Sequence, residues 1–287
     1  MTDGAGARQI AWAAAELGST VVDATPLLGG VEAVVNRVRL GDGRDVVVRV
    51  FDNGGEWGPE HEIVALRALA GTPIPMSVLL AEDLSGERAG LPTVVVSWLP
   101  GEISYTQPPA VVAAAIEPVF ATLAALPVTD ALLELPDELA YVVKRLSGPC
   151  SDKLGDIAEA EGLWAALRDS APPLDTPRCF VHGDVWSGNL LWEGERLTGL
   201  IDWSDSCLAE AARDRATTRV DLVVLHGEGA EDHIEPAEHQ SFWDAWYALT
   251  LIAMLPSWWP GYAPIHDGLT LDEARDRALA LALRALP

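Results

Sequence analysis

Residues 180–192 read Phe-Val-His-Gly-Asp-Val-Trp-Ser-Gly-Asn-Leu-Leu-Trp, and Leu-Ile-Asp-Trp follows at 200–203. No other stretch restricts the fold of this chain as much. Two apolar pairs, Phe180-Val181 and Leu190-Leu191, frame a polar loop, and Leu200-Ile201 delivers Asp202 on the next strand. The loop places Asp184 five residues before Asn189, and a second carboxylate, Asp202, comes after a hairpin-length spacer. Phosphoryl transfer from a nucleotide to a hydroxyl needs that set. One carboxylate accepts or orients the hydroxyl proton, while an amide oxygen and a second carboxylate hold the magnesium that neutralises charge on the phosphates. The bland alternative is a turn between two buried strands that happens to carry carboxylates.

The rest of the composition fits a folded, cytoplasmic chain. At 287 residues there is material for one two-lobed domain or two small ones. With 49% hydrophobic and 22% charged residues it should form a packed core. The three cysteines, Cys150, Cys179 and Cys207, show no metal-type spacing, and their odd number argues against a disulfide framework. No signal peptide is visible, since Ile10, Ala14 and Leu17 at helical spacing make residues 1–20 an amphipathic helix. The most apolar helical run, Ala245 to Leu255, is too short to cross a bilayer and is expected to stop at Pro256. A net charge of −24 disfavours nucleic acid and anionic membranes as partners and would suit a cationic small molecule. Acidic residues that only solvate the surface would give the same count.

His182-Gly183-Asp184, then Asn189, then Ile201-Asp202-Trp203, resembles the aminoglycoside phosphotransferase family of small-molecule kinases. The segment 209–216, Ala-Glu-Ala-Ala-Arg-Asp-Arg-Ala, is similar to the family's G-D-P-x-x-D-L-A, with Asp214 at the second acidic position. It departs from the pattern at Glu210 and Ala211. The resemblance implies an α+β, two-lobed protein-kinase-like fold: residues 1–97 as a small antiparallel-sheet lobe covering the nucleotide, 98–101 as the hinge, and 102–287 as a helical lobe. It also implies ATP (GTP not excluded) and Mg2+ as cofactors, with Asp184 catalytic, Asn189 and Asp202 on the metal, and His182 and Asp214 supporting the loop.

The pattern along the chain agrees with that order. Leu27–Val31 and Ala33–Leu40 read as strands meeting at a glycine turn, a hairpin at Gly41-Asp42-Gly43 leads to a strand over Asp45–Phe51, and a helix follows near Pro59–Ala70. Val78–Ala81 and Thr93–Trp98 are two more strands. Beyond Trp98-Leu99-Pro100-Gly101, helices are expected at 108–126, 137–146, 155–169, 208–225, 238–255 and 270–286, the last opened by a capping box at Thr270–Glu273.

Arg49 lies among β-branched residues, where a cation is costly unless paired. It occupies the position from which kinases present a Lys to the phosphates, and Glu62, beside the buried stripe of the next helix, is its expected partner. Gly29 and Gly30 lie where the nucleotide loop should be, although an ordinary turn would also use them. At the hinge, Ser97 and Leu99 would offer backbone groups to the adenine. Of eleven tryptophans, eight fall from Trp164 onward, and Trp258-Trp259 could stack on an acceptor or simply fill core. Asp205 could bind a substrate ammonium or cap a helix.

Taken together, these residues predict an ATP-dependent phosphotransferase acting on a small molecule's hydroxyl, as a monomer or homodimer. The resemblance implies an antibiotic such as an aminoglycoside, or another cationic compound, as the leading acceptor. Alternatives are a metabolite kinase of choline, homoserine, fructosamine or sugar type, or a non-catalytic pseudokinase that binds a ligand. A metallophosphatase would need further His ligands that the sequence lacks.

Overall fold

The computed structural model describes residues 6–27, 33–51, 59–262 and 268–286, with the side chains of 261 and 262 excepted. The chain divides into two compact units. One comprises Met1–Gly101 with Thr198–Asp205, the other Glu102–Leu197 with Ser206–Pro287.

The first unit opens with helix α1 (Ala7–Glu16), followed by strands β1 (Val21–Leu27), β2 (Val34–Leu40) and β3 (Asp45–Val50). Helix α2 (Pro59–Ala68) and strands β4 (Leu79–Asp83) and β5 (Thr93–Ser97) complete it. The five strands form one antiparallel sheet in the order β1-β2-β3-β5-β4. Period-2 alternation organises the central strand. Val46, Val48 and Val50 are buried in a cluster with Val38, Leu40, Val95 and the Ala13-Ala14 pair of α1. Each such valine contributes roughly 1.5–3 kcal/mol by leaving water. Arg49 then points to the opposite face.

The first strand lies earlier than the glycine-rich segment suggested, at Val21–Leu27 rather than 27–31, and the Gly29-Gly30 turn falls outside the described residues. It is an edge strand, nearly all exposed, so it lacks the alternation that marks a strand in sequence. Its Pro26, paired with Asn36, is tolerated because an edge has no need of every N–H.

The second unit contains the short strand β6 (Glu102–Ile103), helices α3 (Pro109–Ala125), α4 (Glu138–Leu146) and α5 (Ala160–Asp169), and strands β7 (Cys179–Val181) and β8 (Leu190–Glu193). Strand β9 (Arg196–Leu200) then carries the chain into the 198–205 segment. Strand β10 (Cys207–Ala209) and helices α6 (Ala212–His226), α7 (Gln240–Tyr262) and α8 (Leu271–Ala285) follow. Its core joins α4, α5, α6, α7 and α8 around Leu139, Trp164, Val220, Trp243, Leu249 and Leu281. Thr270 and Glu273 form the expected reciprocal capping box at the start of α8.

Two expectations fail in this unit. Residues 207–209 are a strand, not the start of a helix, because Cys207, Leu208 and Ala209 pair antiparallel with Val181, Phe180 and Cys179. Helix α7 does not stop at Pro256 but runs through Pro256 and Pro260 to Tyr262. Each proline removes one N–H from the ladder. Burial of Leu255 and packing of Trp259 on the helical core hold the last turns in place. Even so, no helix among the described residues is long and apolar enough to cross a membrane.

Candidate active site

The loop after β7 is suspended from helix α6. Asp214 accepts from the His182 N–H and the Gly183 N–H, each at 2.8 Å. One helical turn on, the Thr218 hydroxyl donates to the Val185 carbonyl at 2.8 Å. Nearly another turn on, Asp221 Oδ2 accepts from the Ser187 N–H at 3.0 Å and the Ser187 hydroxyl at 2.5 Å. Residues 214, 218 and 221 share one helix face by the i, i+4, i+7 spacing, so a single helix fixes the loop at three successive points. Burial pushes both Asp214 and Asp221 up to about 6. The loop is also gripped through Gly183, at φ +87, whose carbonyl accepts from Arg213 at 2.7 Å. Burial opposes the charge on Arg213, but its neighbours, Glu138 at 2.7 Å first among them, together raise its pKa above the ordinary value.

Within the loop, fully buried His182 accepts the Asp184 N–H on Nδ1 at 3.1 Å, which leaves the ring proton of a neutral imidazole on Nε2. This histidine braces the loop. The half-buried Asp184 carboxylate is held at Oδ2 by Asn189 Nδ2 at 2.9 Å and by the Trp186 indole N–H at 3.1 Å. The same Asn189 amide donates to the Asp184 carbonyl at 2.8 Å. With its nitrogen committed to Asp184, Asn189 has its Oδ1 as the end to present to a cation. Gly188 is required here for close approach: a Cβ would meet the Trp186 ring at 2.2 Å.

The first unit holds a second cluster. Arg49 donates to Glu62 Oε1 at 2.5 Å and to Asp202 Oδ1 at 3.2 Å. Asp202 also accepts from the Ser204 hydroxyl at 2.9 Å and has left-handed backbone at φ 64, rare outside glycine. Burial disfavours the charge of Arg49, yet Glu62 and Asp202 together raise its pKa. Arg49 Nε and Glu62 Oε2 are buried without a hydrogen-bond partner among the described residues. The Arg49 Nε–H is thus a buried donor that an oxygen acceptor could satisfy, while Glu62 Oε2 is a buried acceptor. Asp202, 44% exposed at its side chain, supplies a carboxylate, a hard oxygen donor of the kind magnesium takes. No cluster of three or more His, Cys, Asp or Glu side chains suited to a metal exists among the described residues.

The remaining predicted residues are placed as follows. The Ser97 N–H donates to the Val78 carbonyl at 2.9 Å, and its hydroxyl accepts the Val78 N–H at 2.9 Å. Leu99 lies half-buried in the segment after β5. Trp98 is half-buried beneath the Arg37 guanidinium, 4.2 Å from the ring centre. Asp205 is exposed. Trp259 lines a narrow recess of the second unit together with Trp186, Asp221, Val224, Tyr247, Leu251 and Leu255; Trp258, 37% exposed, does not. Glu210, which departs from the family pattern, is buried and accepts from the Trp243 indole at 2.8 Å and pairs with His239 at 2.6 Å. It ties the turn into α6 to the start of α7. Thr218 and Asp221 went unseen in the sequence reading. Their signal was a polar stripe at helical spacing on a helix most of whose residues are buried.

The geometry is matched by what the chain resembles. A model of the phosphotransferase enzyme family (APH) matches residues 23–255, well over half the sequence. The chain belongs to that family. Among solved structures, the apo form of a thermostable mutant of aminoglycoside phosphotransferase APH(4)-Ia superposes with a TM-score of 0.62 at 18% identity, covering 95% of this chain and 98% of the other. The ternary complex of a further such mutant with ADP and hygromycin B gives 0.56 at 18%, covering 93% and 95%. Macrolide 2'-phosphotransferase type I gives 0.59 at 19%, covering 99% and 98%. No curated protein matches. At these identities the likeness establishes the fold, a mixed α/β, kinase-like architecture with an antiparallel N-terminal sheet and a helical C-terminal part.

Proposed function

We propose that this phosphotransferase moves the γ-phosphoryl group of ATP to a hydroxyl of a small molecule, with Asp184 as the catalytic carboxylate. The observation that carries the reading is the Asp184–Asn189 pair, in which one amide fixes the carboxylate and keeps its oxygen for a cation. The acceptor oxygen forms a bond to the γ-phosphorus as the bond to the β-γ bridging oxygen breaks. Asp184 takes up or directs the hydroxyl proton. When bound, magnesium supplies charge neutralisation on the phosphates; Asn189 and Asp202 are the residues to hold it. Arg49 meets phosphate oxygens and Glu62 braces it. Gly29 and Gly30 serve the phosphates, and Ser97 and Leu99 receive the adenine edge. Residues 1–97, 98–101 and 102–287 act as nucleotide lobe, hinge and acceptor lobe. Positioning and electrostatics do the catalysis, with no covalent intermediate.

The charge of −24 supports a cationic acceptor, and the hygromycin B complex of the APH(4)-Ia mutant supports an antibiotic-like alcohol. The three cysteines are all free thiols, in keeping with a cytoplasmic protein. The test is a panel of aminated, macrolide and sugar alcohols incubated with Mg·ATP. An acceptor that gains the mass of one phosphoryl group, dependent on magnesium and Asp184, supports the reading. ATP that is neither bound nor consumed contradicts it.

A further inference from the structure

Five acidic side chains are buried among the described residues of the second unit: Glu210, Asp214, Asp221, Glu231 and Asp244. Four of them have a basic neighbour. Glu210 pairs with His239, Glu231 with Arg284 and Asp244 with Arg219, and the charge of Arg213 favours ionised Asp214. Asp221 differs. Among the described residues no Lys, Arg or His pairs with it, and its hydrogen-bond donors are the N–H and the hydroxyl of Ser187. Tyr105, the phenol that feels its charge, brings no positive charge of its own. A carboxylate buried without a counter-charge weakens the fold.

What Asp221 holds is the back of the catalytic loop. Ser187 opens the single 3-10 turn Ser187–Asn189. The first N–H of such a turn has no partner within it, and Trp186 just before it provides no side-chain cap. Asp221 supplies the missing acceptor from helix α6, at 3.0 Å from the Ser187 N–H and 2.5 Å from its hydroxyl. The Asn189 N–H closes the turn on the Trp186 carbonyl at 2.9 Å. From there the Asn189 amide reaches the Asp184 carbonyl and Oδ2. The other two tethers from α6 end earlier, Asp214 at His182 and Gly183 and Thr218 at Val185. Asp221 is the tether that reaches the turn bearing Asn189.

We propose that Asp221 is a positioning residue for phosphoryl transfer: acting through Ser187, it sets the turn from which Asn189 reaches Asp184. It touches no reacting atom. The inference rests on the phosphotransferase reading and adds to it a carboxylate that orders the loop at the expense of stability. A residue kept for packing would strengthen the fold, and its loss would lower stability and rate together. Replacing Asp221 should instead move the two in opposite directions.

The experiment compares full-length wild type, Asp221→Asn, Ser187→Ala and the double variant at pH 7. Each is measured by urea unfolding, by calorimetric titration with Mg·ATP and by the rate of magnesium-dependent ADP formation. Asn matches Asp in shape and keeps a carbonyl oxygen for the Ser187 N–H, but it removes the buried charge. Asp221→Asn should unfold at a urea concentration at or above that of the wild type and still bind Mg·ATP. Its kcat should fall about tenfold or more, the scale of a small misplacement of reacting groups. Ser187→Ala, which loses the hydroxyl alone, should also lower kcat. The double variant should fall no further than the worse single variant, because the two side chains act as one unit. A smaller loss of rate in Asp221→Asn, an Asp221→Asn protein less stable than wild type or unable to fold, or additive losses in the double variant would each overturn the positioning role. The phosphotransferase reading then stands as long as the wild type binds and turns over Mg·ATP. A wild type that does neither overturns that reading, and the positioning role with it.

Discussion

Glu62→Ala and Arg49→Ala should each destabilise the protein strongly, yet far from additively. The two side chains are 4% and 14% exposed and 2.5 Å apart. Removing Glu62 leaves Arg49 with Asp202 at 3.2 Å, a carboxylate 44% exposed, so the loss falls at the low end of the range for a broken buried pair, about 3 kcal/mol. Removing Arg49 leaves Glu62 buried without its cation, and burial already pushes its pKa up. An uncompensated buried charge of that kind costs about 3–4 kcal/mol. The double variant removes both charges and should cost about 3–4 kcal/mol rather than the 6–7 of the sum, a coupling of about 3 kcal/mol. The sign with pH is fixed as well. A carboxyl whose folded pKa is raised keeps its stability below its unfolded pKa and loses it as pH rises through the folded one. The Arg49→Ala defect should therefore shrink on acidification. Urea unfolding of the four proteins at pH 7 and pH 5 measures all of this. Additivity within about 0.5 kcal/mol, or an Arg49→Ala defect that grows on acidification, would refute the pairing.

Other outcomes follow from the same geometry. Asp184→Asn should lower kcat about 10²–10⁴-fold with nucleotide binding retained, as read by steady-state kinetics and titration. Asp202→Ala should weaken Mg·ATP binding more than Asn189→Ala, because a carboxylate brings full charge to a hard cation; calorimetry that shows both unweakened removes them from the metal site. Asp221 is raised to about 6 by burial, so its contribution to stability is complete below about pH 4 and lost as pH rises through 6. Asp221→Asn should therefore gain stability relative to wild type across that window, by roughly 3 kcal/mol between its ends, in paired denaturation curves. Trp186→Phe keeps the ring but loses the N–H to Asp184, so kcat should fall more than KM rises.

Much of the fold was legible because it is local. The β-branched run Asp45–Phe51 marked the central strand, and the Thr270 capping box marked a helix start. What escaped is set by tertiary partners. Strand β1 is an exposed edge with no alternating pattern, Cys207–Ala209 becomes a strand only because β7 lies beside it, and α7 passes two prolines because Leu255 and Trp259 are anchored. The loop's Asp184 and Asn189 were readable from their spacing, and Glu62 from its position beside a buried stripe. Thr218 and Asp221 were not, since a polar residue on a buried helix shows its purpose only once the loop it supports is in place. The aromatic recess likewise draws on residues from 186 to 259, which no local pattern joins.

The central claim is that Asp184 activates a hydroxyl toward the γ-phosphate, and water is the one acceptor that needs no identification. The decisive measurement is the initial rate of ADP formation from ATP by wild type and Asp184→Asn, each with magnesium and with excess chelator. The account predicts slow hydrolysis in the wild type that chelation abolishes and that Asp184→Asn lowers at least 100-fold while still binding Mg·ATP. Hydrolysis at the wild-type rate in Asp184→Asn, or turnover indifferent to magnesium, would contradict it.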